Sequence, residues 1–330
     1  MNIESYFEDI LGQGQAIKLL QQAIKLDRIA PAYLFWGTPG VGKSLTAKAF
    51  IRCLLESTVA PEKQSLVSKK LHSNNHPDVL WIEPTYKEKG ELITASQAQA
   101  EGIKRKTPPQ IRIEQIRQIS QFVTRPPLES SRLMVVIESA ETMSEACANA
   151  LLKTLEEPGK ATLILIAPST DSLLSTIISR CQCLAFRRLS EANLRLVLQN
   201  QGYSEILEHP EVIAIAQGSP GQAIAAWHKL REIPQDLLTQ LKSLPTNGIS
   251  AFQLAKAVTQ ELDTINQIWL IDYLQYYYWQ KYQNISLIEQ WEKTRQYLLS
   301  YVQPRLVWEC TLHQLILNTG ITRSSGSRVR

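Results

Sequence analysis

Tyr33-Leu34-Phe35-Trp36-Gly37-Thr38-Pro39-Gly40-Val41-Gly42-Lys43-Ser44 is the stretch from which the rest of the 330-residue chain can be ordered. Its first four residues are large and apolar and read as a buried strand, and from Ser44 to Leu55 the apolar spacing becomes helical. Between them, Gly37 to Ser44 match G-x-x-x-x-G-K-[ST] in the strand, loop and helix setting that this motif requires. Glycines at 37, 40 and 42 let the backbone curl around Val41 until successive N–H groups face one phosphate, and the start of the helix adds partial positive charge. Lys43 is suited to neutralise the outer phosphates, and Ser44 to place its hydroxyl on a Mg²⁺ ion that bridges β and γ oxygens. Nucleotide binding, with ATP and Mg²⁺ as the expected ligands, follows from this pattern. The chemistry that comes after binding does not, because kinases, GTPases and motor ATPases share the loop.

Outward from the loop, short apolar runs rich in β-branched residues recur at Val79 to Glu83, Leu133 to Ile137, Leu163 to Ala167 and Cys183 to Phe186. Helical patterns lie between them at Ala16 to Leu26, Ile113 to Thr124, Ser144 to Leu155 and Ser172 to Ser179. This alternation predicts an α/β domain with a five-stranded parallel sheet and helices on both faces. Glu56 to Gln110 is poor in apolar periodicity and rich in Lys, Ser, Gln and Pro, so it reads as a surface excursion with partial disorder around Lys87 to Pro109. Beyond Phe186 strand signals stop, and helices separated by Gly202, Gly218 to Gly221, Pro234 and Pro245 are expected to Asn318. Ile265, Ile268, Trp269, Tyr273, Tyr276 and Tyr277 share helical spacing, as do Trp308, Leu312, Leu315 and Ile316, and each set reads as core or subunit interface. The basic tail Arg323 to Arg330 is expected to be disordered.

Apolar residues make up 44% of the chain and charged ones 20%, an ordinary globular balance, and no apolar run approaches the length of a membrane span. Glu4, Glu8 and Asp9 near the start do not resemble a secretory signal, so a soluble cytoplasmic protein is expected. The net charge of +4 is compatible with nucleic-acid contact but does not argue for it. Cys53, Cys147, Cys181, Cys183 and Cys310 form no C-x-x-C pair and read as free thiols, mostly buried.

Phe7-Glu8-Asp9-Ile10-Leu11-Gly12-Gln13, Ile29 to Phe35 and the phosphate loop together resemble the opening of bacterial clamp-loader AAA+ subunits. The resemblance continues, in order, through His76-Pro77-Asp78, Asn149-Ala150-Leu151-Leu152-Lys153-Thr154-Leu155-Glu156-Glu157-Pro158 and Ser179-Arg180-Cys181. It implies a P-loop AAA+ domain over Met1 to Arg188, an all-α lid over Leu189 to Glu232 and an all-α collar over Ile233 to Arg330. Tyr301 to Glu309 resemble the start of the last collar helix. Implied partners are gamma/tau and delta subunits in a hetero-pentamer, the sliding clamp and primed DNA.

Against that family, several catalytic positions depart. Hydrolysing members end the strand before the Asn149 helix in an Asp that helps hold the metal, then a Glu that activates water. This chain reads Ile137-Glu138-Ser139-Ala140-Glu141, so Glu138 is a degenerate counterpart of the Asp, and Ser139 cannot act as a base near neutral pH. Glu141 lies a turn away and is expected in solvent. The family's polar sensor aligns with Ala167, before Pro168, and its lid Arg with Gly221 in Gly218-Ser219-Pro220-Gly221. These losses imply that ATP is bound but poorly hydrolysed. They favour the branch of the family that has given up turnover over the gamma/tau branch. If Glu138 replaces the Asp, an active gamma/tau-like or helicase-type motor remains open. Arg180, in the Ser-Arg-Cys motif, is implied to act as an arginine finger on nucleotide held by a neighbouring subunit. Many relatives place four zinc-binding cysteines before His-Pro-Asp; here only Cys53, His72 and His76 are available, and no zinc site is expected. His76 then reads as part of a structural turn.

Overall fold

The computed structural model describes residues 2–88, 91–101, 107–243, 245 and 247–325. The chain divides into two compact units, Met1–Leu194 and Arg195–Arg330.

In the first unit the strands are β1 Ala32–Trp36, β2 Val79–Ile82, β3 Thr85–Glu88, β4 Glu91–Thr94, β5 Leu133–Ile137, β6 Ala161–Ala167 and β7 Gln182–Ala185. The helices are α1 Gly14–Lys25, α2 Lys43–Glu56, α3 Pro61–His72, α4 Ala95–Ala100, α5 Ile113–Val123, α6 Glu145–Glu156 and the short α7 Ser175–Ile178. Five strands form one sheet in the order β2-β5-β6-β1-β7, and every pairing is parallel. All residues of β5 and β6 are buried, as a sheet covered on both faces demands. One face packs against α5 and α6 through Ile116, Ile119, Leu151 and Leu155. The expected five-stranded parallel sheet is therefore present, with strand ends shifted by a residue or two.

The helix expected over Ser172 to Ser179 is shorter than its pattern. Leu173 and Leu174 are extended, which packs both side chains against the core, and α7 begins only at Ser175.

The larger departure is the stretch 56–110. Of the Lys87 to Pro109 segment expected to be disordered, residues 89–90 and 102–106 lie outside the described residues, and the rest is built. β3 and β4 pair antiparallel, Thr85 exchanges two backbone hydrogen bonds with Gln110 (2.9 and 3.1 Å), and Lys87 lies 3.9 Å from Glu114. Before this hairpin, α3 buries little apolar surface beyond Val67 and is tied down by polar contacts. The buried Glu56 at the end of α2 accepts from Arg52 (3.0 Å), Ser68 (2.6 Å) and Tyr6 (2.7 Å). A helix held through a buried carboxylate carries no amphipathic stripe, so periodicity does not reveal it.

α8 Glu191–Asn200 runs from the end of the first unit into the second, which adds α9 Pro210–Ala216, α10 Pro220–Glu232, α11 Gln235–Ser243, α12 Gly248–Glu261, α13 Thr264–Tyr282, α14 Ile285–Leu299 and α15 Pro304–Ser325. Its mainly aliphatic core holds an aromatic cluster. Tyr273, Tyr278, Trp291 and Trp308 are fully buried, Tyr278 stacks on Trp291 at 5.7 Å and 13°, and Trp291 meets Trp308 edge-on at 5.8 Å. The Trp308 Nε1–H donates to Gln267 Oε1 (2.9 Å), whose amide donates to the Leu262 carbonyl (2.8 Å). Trp269 and Tyr273 of the predicted stripe are core, whereas Ile265 is exposed. Of the tail, the α15 backbone continues through Ser325, and residues 326–330 lie outside the described residues.

Candidate nucleotide site

The loop Gly37 to Gly42 leaves the C-terminal end of β1, the strand between β6 and β7, and its ends are pinned to both neighbours. The Gly37 N–H donates to the Ala167 carbonyl (3.2 Å), and the Phe186 N–H donates to the Trp36 carbonyl (2.8 Å). Gly37 has φ +147°, and an added Cβ would stand 2.1 Å from the Phe186 carbonyl oxygen. Gly40 and Gly42 also have positive φ, at 79° and 102°. A Cβ on Gly42 would meet nothing within 4 Å, so the loop curls around open space where α2 begins. The first amides of α2 have no carbonyl partner within their own helix and supply the donors that an anion needs. Val41 is buried, and its carbonyl accepts from Gln13 Nε2 (3.1 Å), which also bonds the Arg187 carbonyl (2.7 Å).

Lys43 is buried to 7% exposure, and its ammonium donates to the loop's own carbonyls, Gly37 O and Thr38 O, the latter at 3.0 Å. Burial pulls its pKa down to about 8, against the opposing pull of the Glu138 and Glu141 carboxylates. Glu138 follows β5 directly, and its backbone N–H donates to Ile82 O (2.9 Å). Burial holds its carboxyl above the usual range; the Ser44 hydroxyl, which hydrogen-bonds to it, and Lys43 and Lys48 work the other way, while Glu83 adds to the rise. Lys43, Ser44 and Glu138 are thus brought together at the C-terminal edge of the sheet.

Glu141 is not in solvent as its displacement suggested. Ser139 adopts a left-handed conformation (φ 47°, ψ 52°), and the turn that follows leaves Glu141 Oε2 buried with no hydrogen-bond partner among the described residues. Burial raises its pKa, and the charge of Lys43 opposes the rise. Ala167 ends β6, is 1% exposed and offers no polar atom from its side chain. In the second unit, Ser219 caps α10 by accepting from the Gln222 N–H (3.3 Å), and Gly221 is exposed on its first turn.

Arg180 lies beyond α7 and pairs with Glu156 at 2.6 Å. His76 and Asp78 form a buried turn. The Asp78 N–H donates to His76 Nδ1 (3.2 Å), and the Asp78 carboxylate accepts from the N–H groups of Leu128, Glu129 and Ser130 and from the Ser130 hydroxyl, at 2.7 to 2.9 Å. Among the described residues no group of three His, Cys, Asp or Glu side chains is disposed to hold a metal ion. The thiols are less buried than expected: Cys53 and Cys147 are buried, Cys181 is half-buried, and Cys183 and Cys310 are exposed, Cys183 because β7 is an edge strand. Among the described residues no helix is long and apolar enough to cross a membrane.

Two contacts to the loop went unread in the sequence. Gln13 bridges it to the segment after β7, and Arg188 Nε donates to Thr38 Oγ1 at 3.3 Å. Gln13 lies in the family-like opening stretch, but nothing local marks Arg188.

The sheet order, the cradle at its C-terminal edge and the helical half that follows define a AAA+ P-loop protein. The family described as "DNA polymerase III, delta subunit" matches residues 12–190, and "Cyanobacterial DNA polymerase III delta prime, C-terminal domain" matches residues 192–315. The chain belongs to this family of DNA polymerase III delta and delta-prime subunits. It is 36% identical over 182 residues to the DNA polymerase III subunit delta' of Bacillus subtilis, covering 54% of this chain and 48% of the relative. It is 31% identical over 237 residues to the delta' subunit of Pseudomonas aeruginosa, covering 69% of this chain and 65% of the relative. The matched stretch thus spans about half the length of the first relative and just under two thirds of the second. A DNA polymerase III gamma subunit-related protein of Thermotoga maritima shares the fold with a TM-score of 0.54 at 17% identity, over 92% of this chain and 98% of that one.

Proposed function

We propose that the chain is a delta-prime-type clamp-loader subunit that holds ATP in its loop, hydrolyses it poorly, and lends Arg180 to nucleotide bound by an adjacent subunit. On this reading 1–188 is the nucleotide-binding domain, 189–232 a lid and 233–330 the collar of a cytoplasmic hetero-pentamer with gamma/tau and delta subunits. That assembly places the sliding clamp on primed DNA.

One observation carries the reading: the cradle is complete while the positions that would work on a bound triphosphate are not. Gly37, Gly40, Val41 and Gly42 shape the loop, Lys43 supplies the cation, and Ser44 offers its hydroxyl to a Mg²⁺ ion carried by the nucleotide. The ion would neutralise charge on the phosphates. A phosphate group would take over the Lys43 ammonium from the carbonyls of Gly37 and Thr38, exchanging neutral acceptors for a charged one. Ser139 cannot take a proton from water near neutral pH, and the Ala167 side chain has no polar atom to orient one, so a base and a polar sensor are both missing. Since phosphoryl transfer depends on positioned charge, their absence favours binding without turnover.

A second reading, an active motor, is favoured by Glu138 within reach of Ser44 and by the unpartnered Glu141 oxygen near Lys43. Turnover of ATP by the isolated chain separates the two. Several cycles per second without other subunits would support the motor. Stable association with gamma/tau and delta, together with negligible turnover alone, is the expected result.

A further inference from the structure

The guanidinium of Arg180 is held from two sides. Its Nε and Nη2 both donate to Oε1 of Glu156, at 3.1 and 2.6 Å, and Nη1 donates to the Thr176 carbonyl at 3.0 Å and meets the Ser179 hydroxyl at 3.5 Å. Glu156 is the last residue of α6, and Arg180 follows α7, so two separate elements bring the charges together. The pair lies at the surface, with side-chain exposures of 35% for Arg180 and 52% for Glu156.

Helix stability does not account for the carboxylate. Glu156 stands in the last turn of α6, where the negative end of the helix dipole repels it, and Glu157 follows directly. What the carboxylate does is occupy the guanidinium edge that would otherwise meet an anion. An exposed ion pair is weak and is readily exchanged. A polyphosphate presents more charge and matches the planar fork in two places, so it can displace a single carboxylate oxygen.

We propose that Glu156 is a positioning residue that parks Arg180 in a charge-compensated state until polyphosphate on an adjacent subunit displaces the carboxylate. This rests on the reading that Arg180 acts in trans. Parking keeps the arginine aligned by Thr176 while lowering its pull on the neighbour's nucleotide, so hydrolysis stays low until assembly on DNA presses the subunits together. Removing the carboxylate charge loosens that restraint.

The test is ATP hydrolysis by the assembled pentamer containing this chain as wild type, Glu156→Gln, Glu156→Asp, Arg180→Ala or the double variant Glu156→Gln/Arg180→Ala, with and without primed DNA. Glu156→Gln is expected to raise the rate without DNA about two- to fivefold, the range an exposed ion pair supplies. The DNA-stimulated rate stays near wild type, so the stimulation ratio shrinks. Glu156→Asp, which keeps the charge on a shorter stem, should fall between, and it serves if Glu156→Gln does not assemble. Arg180→Ala should lower the stimulated rate about tenfold or more, and the double variant should match it. Arg180→Ala at wild-type rates would overturn the trans reading and the parking with it. If Arg180→Ala is slow but Glu156→Gln keeps the wild-type stimulation ratio, parking alone is wrong. A Glu156→Gln complex as slow as Arg180→Ala would also overturn it, since the carboxylate would then be aiming the arginine rather than restraining it.

Discussion

Gly37 and Phe186 approach so closely that a Cβ on the glycine would lie 2.1 Å from the Phe186 carbonyl oxygen. The contact joins the start of the phosphate loop to the residue after β7, and the obstacle is backbone, which no rotamer change can clear. Gly37→Ala should therefore destabilise the chain by about 3 kcal/mol or more, from the clash and from φ +147° together. Gly42→Ala, with φ +102° and nothing within 4 Å of the new atom, carries only the backbone strain, about 1 to 3 kcal/mol. Urea midpoints of the two variants check the order, and equal losses would contradict it.

The buried Lys43 links nucleotide affinity to pH. Its pKa is pulled down to about 8 by burial, whereas a bound triphosphate favours the ammonium. Above pH 8 binding must take up a proton, so affinity for ATP with Mg²⁺ should fall as pH rises from 8 towards 9. Below 8 the lysine is already charged and this dependence vanishes. Titration calorimetry in buffers of different ionisation enthalpy measures the proton directly. At about 100 times its dissociation constant the ligand should stabilise the fold by roughly 2.7 kcal/mol, and Lys43→Ala should abolish that shift.

Asp78 is fully buried, and its carboxylate organises the turn at Leu128 to Ser130. Burial alone would raise its pKa, but the N–H donors of Leu128, Glu129 and Ser130 and the Ser130 hydroxyl outweigh that and hold it below the usual aspartate range. A depressed folded-state pKa means that the stabilisation is complete above the unfolded value of about 3.9 and is lost as pH falls through the folded one. Asp78→Asn should flatten the acid limb of a stability-against-pH curve below about pH 4. Asp78→Ala should cost about 3 kcal/mol or more by stranding several buried donors. An unchanged acid limb in Asp78→Asn would count against this assignment.

In the helical unit, Gln267 is the acceptor for the Trp308 indole and the donor to Leu262 O. Gln267→Leu leaves both groups buried without partners and should cost about 2 to 4 kcal/mol. Trp308→Phe in the same background removes one stranded donor, so a double-mutant cycle should give a coupling of about 1 kcal/mol. Strict additivity would mean that the hydrogen bond contributes nothing beyond packing.

Amino-acid order by itself determined what depends on neighbours in the chain. Unbroken apolar runs such as Leu133 to Ile137 specify strands buried on both faces, and Gly37 to Ser44 specify a loop that must curl, because φ preference and burial periodicity are local properties. The cation and the hydroxyl of the candidate site were readable from the loop motif, and the degenerate acid Glu138 only through the resemblance to the clamp-loader family. Tertiary structure alone decided the rest. The left-handed turn at Ser139 buries the Glu141 oxygen; sheet order carries Arg180 to Glu156 across 24 positions, and Asp78 caps a turn 50 positions away. The buried Glu56 holds a helix whose own pattern is nearly featureless. Such contacts join single polar atoms from distant segments, and a lone hydrogen-bond partner leaves no period in the sequence, whereas a buried face does.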